Sequence, residues 1–157
     1  MISSNSPNNW YILKCYRNIS RRIMKKVKIQ NIKRPFFPKI ELQVGIHRIV
    51  AEVASTKYTR EYGLMFRKQL PENHGMLFVF ETLEKYCFFM KNTHLPLSIA
   101  FLRNDGSIIK IDDMRPFSLD KVCTDHPVRY ALEMNQGWFA KKNVKVGNKI
   151  INKQYFT

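Results

Sequence analysis

Short apolar runs that end at turn residues constrain this chain more tightly than any other feature of its sequence. Leu97–Leu102 and Ile108–Ile111 are both of strand length, and Asn104-Asp105-Gly106 stands between them. Glycine adopts positive φ without a Cβ clash, so an Asp-Gly pair suits a tight turn and residues 97–111 read as a hairpin. Ile40, Leu42 and Val44 alternate with Glu41 and Gln43 up to Gly45, and Ile49, Ala51 and Val53 repeat the pattern beyond it. Residues 40–53 therefore read as another hairpin. Met76–Phe80, Tyr86–Met90, Val128–Met134 and the stretch around Asn148–Ile151 supply further strands. A short helix is predicted near Thr56–Gly63, where Ser55 or Thr56 can cap the start and Gly63 can end it. Residues 115–127, with Pro116 and Pro127, read as a loop, and Gly137–Ala140 as a helical turn. The result is a mainly β fold, a single sandwich or barrel of about seven or eight short strands with one short helix.

Length and composition agree with one domain. The 157 residues are 45% hydrophobic and 13% aromatic, enough for a core and too apolar for a disordered chain. No run approaches the ~20 apolar residues of a membrane-spanning helix. Charge is unevenly placed. Residues 1–38 carry nine basic side chains and no acid, whereas 39–153, the expected domain, is only mildly basic. Ile12, Tyr16, Ile19, Ile23 and Val27 are spaced for one face of a helix, with Arg17, Arg21, Lys25 and Lys28 on the others. Such a segment fits contact between residues 1–38 and an anionic membrane or nucleic acid. A flexible arm is nevertheless the preferred reading of residues 1–38, because like charges repel and termini fray. Trp10–Leu13 is a short apolar run with basic residues after it rather than before, so no signal peptide is expected. Lys33–Pro38 reads as an extended linker, since Pro35 and Pro38 disfavour helix in the residues before them.

Several segments form an ordered series. Gly63-Leu64-Met65-Phe66-Arg67 precedes Leu70-Pro71-Glu72-Asn73-His74-Gly75-Met76-Leu77-Phe78-Val79-Phe80. Phe89-Met90-Lys91-Asn92-Thr93 and Pro96–Phe101 follow, then Asp105-Gly106, Asp113-Met114, Leu132–Trp138 and Val146-Gly147. Over residues 40–152 the series resembles the domain of unknown function 192 family. The resemblance implies a small, mainly β, jelly-roll-like fold and no established activity; many such relatives carry an export signal. Phe89 stands where the family usually has tryptophan, so no role that needs an indole N–H is carried over.

Lys91-Asn92-Thr93-His94 sets a cation, an amide, a hydroxyl and an imidazole between two apolar runs, with Pro96 stiffening the backbone behind them. Polar groups this close to a core are either paired or offered to a ligand. These four residues, sharing a surface concavity with Arg67 or Glu133, are the candidate binding site. The alternative is a structural turn in which Asn92 and Thr93 satisfy local backbone groups. Glu133 stands in an apolar strand and is expected to pair with Arg or Lys, or to point outward.

Met65, Met76, Met90, Met114 and Met134, with His74 and His94, offer soft donors for Cu(I). Methionine also fills core gaps, and no Met-x-Met or His-x-His spacing occurs, so no metal is expected. Cys87 and Cys123 are expected to lie close together and to form a disulfide in an oxidising compartment. The chain has no Cys-x-x-Cys, Gly-x-Ser-x-Gly, P-loop, dinucleotide fingerprint or His-Glu-x-x-His, and no cofactor is expected. The leading reading is a non-catalytic binding module for a small polar ligand or a protein partner. The alternative is a hydrolase-type enzyme pairing Asp113 or Glu133 with His94.

Overall fold

The computed structural model describes residues 2–4 and 34–156. The amphipathic basic stretch and Cys15 lie outside these residues. The elements are β1 (Ile2–Ser4), β2 (Lys39–Val44), β3 (His47–Ala54), α1 (Lys57–Tyr62), β4 (His74–Glu84) and β5 (Tyr86–Phe88). They continue with β6 (Leu97–Leu102), β7 (Ile108–Met114), β8 (Val122–Cys123), β9 (Val128–Asn135), α2 (Trp138–Lys141) and β10 (Ile150–Ile151). The fold is mainly β, and its principal sheet curls into a half-barrel.

That sheet has the strand order β10-β2-β3-β4-β9-β6-β7. The β2–β3 and β6–β7 hairpins form as the alternation predicts. Gly106 turns the second hairpin at φ +82°, and a Cβ there would meet the Ile150 carbonyl oxygen at 2.2 Å. β3 and β4 are parallel, with Val53 opposite Leu77. Parallel neighbours need a crossover, and α1 with residues 63–73 supplies it. Thr56 caps α1 by accepting from the Thr59 N–H at 3.2 Å, and Gly63 ends it at φ +51°.

The core has two parts, one on each face of the sheet. Met76, Phe78 and Phe80 of β4 join Phe88, Ile99 and Phe101 on one face. Leu77 joins Leu42, Ile49, Leu132, Trp138 and Phe139 on the other. A strand buried on both faces reads as an unbroken apolar run, which Met76–Phe80 is.

β5 lies between β1 and β8 in a second sheet. β8 falls within the stretch read as a loop, because two residues cannot display an alternation. Its strand character comes from pairing with β5, where Cys87 faces Cys123 and the two form a disulfide with Cα atoms 4.0 Å apart. Packing also reaches past the expected domain limits. Phe37 of the expected linker is buried against Tyr62, and Pro38 accepts from the Val53 N–H at 2.8 Å. At the other end, Phe156 packs on Tyr130 with ring centroids 5.0 Å apart.

The disulfide closes a separation of 36 residues, which restricts the unfolded chain more than the folded one. Reduction with dithiothreitol should therefore cost ~2–4 kcal/mol of stability, visible as a lowered Tm. A Tm equal in oxidised and reduced protein would show that the bond contributes nothing.

Candidate functional site

Register places the starts of β4 and β6 and the ends of β7 and β9 at one end of the sheet. Gly75 faces Met134, and Leu97 faces both Asn135 and Met114. The crossover residues 63–73 and the loops 91–96 and 115–121 gather there.

A cavity of about 470 Å³ opens beneath the crossover. Arg34, Lys39, Arg67, Lys68 and Glu52 give it charged walls, and Met65, Phe66 and Leu70 give it apolar ones. Arg67 donates through Nη1 to Glu52 Oε1 at 3.0 Å and through Nη2 to Oε2, a bidentate pair with both side chains largely buried. Arg34 reaches the same carboxylate at 3.4 Å. The Arg67 guanidinium lies 5.9 Å from the Phe37 ring centroid. Its Nε is buried and has no acceptor among the described residues. Burial alone would raise the Glu52 carboxyl, but the hydrogen bonds and charge of Arg67, backed by Arg34 and Lys39, hold it below its ordinary value.

Among the residues singled out from sequence, Arg67 lines this cavity, and Lys91, Asn92, Thr93 and His94 form a turn beside it. The Phe66 N–H donates to the Asn92 carbonyl at 2.8 Å, tying that turn to the cavity wall. Thr93 is buried, with its hydroxyl donating to the Lys91 carbonyl at 3.2 Å. Lys91 and His94 are exposed, and His94 packs edge-on against Phe117 at 4.7 Å.

Glu133 lies elsewhere. It is 5% exposed on the inner face, between Met76 and Ile99 on the flanking strands, and makes no ion pair with the described residues. Pairing with Arg or Lys was the expectation. Strands on both sides pin β9 instead, so its alternation sends Glu133 inward among apolar neighbours. Burial pushes its carboxyl up to about 7.

Asp113 projects from the opposite face, where it accepts from Ser98 Oγ at 2.5 Å and Gln136 Nε2 at 3.2 Å. Met76, Met90 and Met114 pack in one core and Met134 in the other, so the methionines do not converge.

Glu52 and Lys39 were not singled out in the sequence, and Arg34 only as one of the basic residues before the domain. Alternation of Ile49, Ala51 and Val53 assigns Glu52 to solvent, although Val50 and Ala54 on its own face hint that this face is covered too.

The sequence profile of the DUF192 family, described as an uncharacterized ACR, matches residues 40–151. The chain belongs to the DUF192 family. Its fold resembles that of a candidate transcription regulator from Sinorhizobium meliloti 1021, with TM-score 0.73 and 32% identity over 74% of this chain and 95% of that one. It also resembles a protein of unknown function from Novosphingobium aromaticivorans DSM 12444, with TM-score 0.68 and 30% identity over 73% and 85%. No curated protein matches the chain. This DUF192 domain therefore has relatives of known structure, and neither of the two named assigns its chemistry.

Two outcomes test the geometry. Glu133 holds its proton in the folded state up to about pH 7, whereas in the unfolded chain it loses it near its ordinary 4.5. Stability should fall as pH rises between those values and level off above. Glu133→Gln should remove that fall and gain on the order of 1–3 kcal/mol at pH 8 in urea melts; an unchanged pH profile would place the carboxyl in water. Asn92 has φ +55°. Asn92→Ala should cost ~1 kcal/mol and Asn92→Gly much less, because only alanine is strained there. Equal losses would assign the effect to the side-chain amide.

Proposed function

We propose that this DUF192 domain is a non-catalytic binding module whose ligand is a small anion held in the Arg67 cavity. Four basic side chains against one carboxylate leave the cavity positive; Arg34, Lys39 and Lys68 are exposed and Arg67 is largely buried. The buried Arg67 Nε carries the reading. A desolvated donor without an acceptor costs ~1–3 kcal/mol, so Glu52 alone leaves the Arg67 guanidinium under-satisfied, and an oxyanion in the cavity would add negative charge beside it. Glu52 already occupies both terminal nitrogens of Arg67, so the protein holds the guanidinium in place before ligand arrives.

The carboxylate–imidazole alternative has no comparable support. Asp113 and Glu133 face opposite sides of the sheet, and His94 packs on Phe117.

Titration calorimetry of the full chain with inorganic phosphate and with succinate tests the reading. Arg67→Gln should weaken binding about tenfold or more, the loss expected for one charge-assisted contact. Glu52→Gln should tighten it by removing the internal competitor. No heat with either anion, or an affinity indifferent to Arg67, would defeat the proposal.

A further inference from the structure

We propose that the loops at this end of the sheet dock the protein onto an anionic lipid surface, beside the Arg67 cavity whose wall Phe66 shares. Phe66, Asn92 and Phe117 have left-handed backbone, at φ +62°, +55° and +60°. Elsewhere among the described residues, positive φ falls on Gly45, Gly63, Gly106, Gly137 and Gly147, and on Asn143. Glycine lacks the clashing Cβ and asparagine tolerates the region, whereas a phenylalanine there is a costly outlier.

Hydrogen bonds staple the three together. Besides the Phe66–Asn92 bond, the Phe117 N–H donates to the Thr93 carbonyl at 3.1 Å, and the Met90 N–H donates to the Ser118 carbonyl at 2.8 Å. Strain that drove a ring into the core would be offset by burial. Here it holds rings in solvent: Phe66 is 49% and Phe117 56% exposed, with Leu119 beside them at 69%. Backbone strain without a folding gain marks a working surface.

Charge identifies what covers it. Lys68, Lys91, Arg115 and Lys121 adjoin these residues in sequence, and Asp120 is the single acid in segments 64–70, 91–96 and 115–121. Asp120 is occupied by Arg115 at 3.5 Å. Phe117 and Leu119 lie outside the lining of the Arg67 cavity, on the loop of residues 115–121. Apolar tips with cations beside them in the chain suit the boundary between headgroups and acyl chains, where rings enter and ammonium groups meet anionic lipid. The chain's formal charge of +15 favours the same approach. No helix of the described residues is long and apolar enough to cross a membrane, so the contact is at the surface.

The test uses the full chain and vesicles of phosphatidylcholine with or without phosphatidylserine. Cosedimentation should require phosphatidylserine, and Phe66→Ser with Phe117→Ser should weaken it about tenfold or more at unchanged Tm. Phe117→Trp should add fluorescence that brominated acyl chains quench only in the anionic vesicles. Equal binding by wild type and the double variant would assign the contact to residues 1–38 and overturn the proposal. So would an unquenched Trp, or the absence of binding to anionic vesicles.

Discussion

Burial of β4 on both faces is the constraint from which the rest of the structure follows. Phe78 contacts one core and Leu77 the other, so over residues 75–80 both faces of the strand are covered, and only its end from Glu81 on is exposed. Such a strand must have a partner on each side. It finds β9 antiparallel on one edge and β3 parallel on the other. The β4–β9 and β6–β9 registers then fix which face every neighbour presents, because a one-residue slip would exchange the two cores.

The parallel β3–β4 pair has a cost that shapes the site. A hairpin would have returned the chain in a few residues, whereas a parallel neighbour requires it to travel back along the sheet. Residues 63–73 make that return and cross the end of the sheet, bringing Arg67 over Glu52 of β3. Glu52 sits on the inner face because Val50 and Ala54, two residues either side, sit there as well. A buried carboxylate alone would be expensive, and Arg67 with Arg34 neutralises it. The ion pair is thus a consequence of topology, and the cavity is the space left where the crossover spans the sheet without filling it.

The two hairpins, the cap of α1 and the proximity of Cys87 and Cys123 were legible because each leaves a local signal: alternation with period two, a Thr before a helix, or a small choice of cysteines. The family was legible from the ordered motifs. The parallel pairing was not, since nothing near His47–Ala54 states which distant strand will lie beside it. Glu52 was hidden for a related reason. Ile49, Ala51 and Val53 satisfy a half-buried pattern so well that the remaining residues pass for solvent-facing, and only the second covered face of β3 shows otherwise. Glu133 was conspicuous as an acid in an apolar strand, but its direction depends on two flanking registers. Lys91–His94 lie at the same end of the sheet as the cavity, and their contact with it runs through the Asn92 carbonyl, an atom that side-chain identity does not reveal.

The distribution of unfavourable features within the fold is uneven, and that unevenness carries the functional argument. Where the chain needs positive φ simply to turn, as at Gly45 and Gly106, it uses glycine. Buried polar groups outside the cavity and its loops are mostly satisfied, Glu133 apart: Ser98 Oγ donates to Asp113 and accepts from the Gly137 N–H at 2.9 Å. The end of the sheet bearing residues 63–73, 91–96 and 115–121 departs from both habits. It has a buried guanidinium nitrogen without an acceptor among the described residues and two phenylalanines at positive φ, each about half exposed. Packing could have removed each of these, by a carbonyl near Arg67 or a glycine at residue 66 or 117, with a gain in stability. Their concentration on one side of one molecule is what a binding surface requires, since donors and apolar groups satisfied in the free protein would have nothing left to offer.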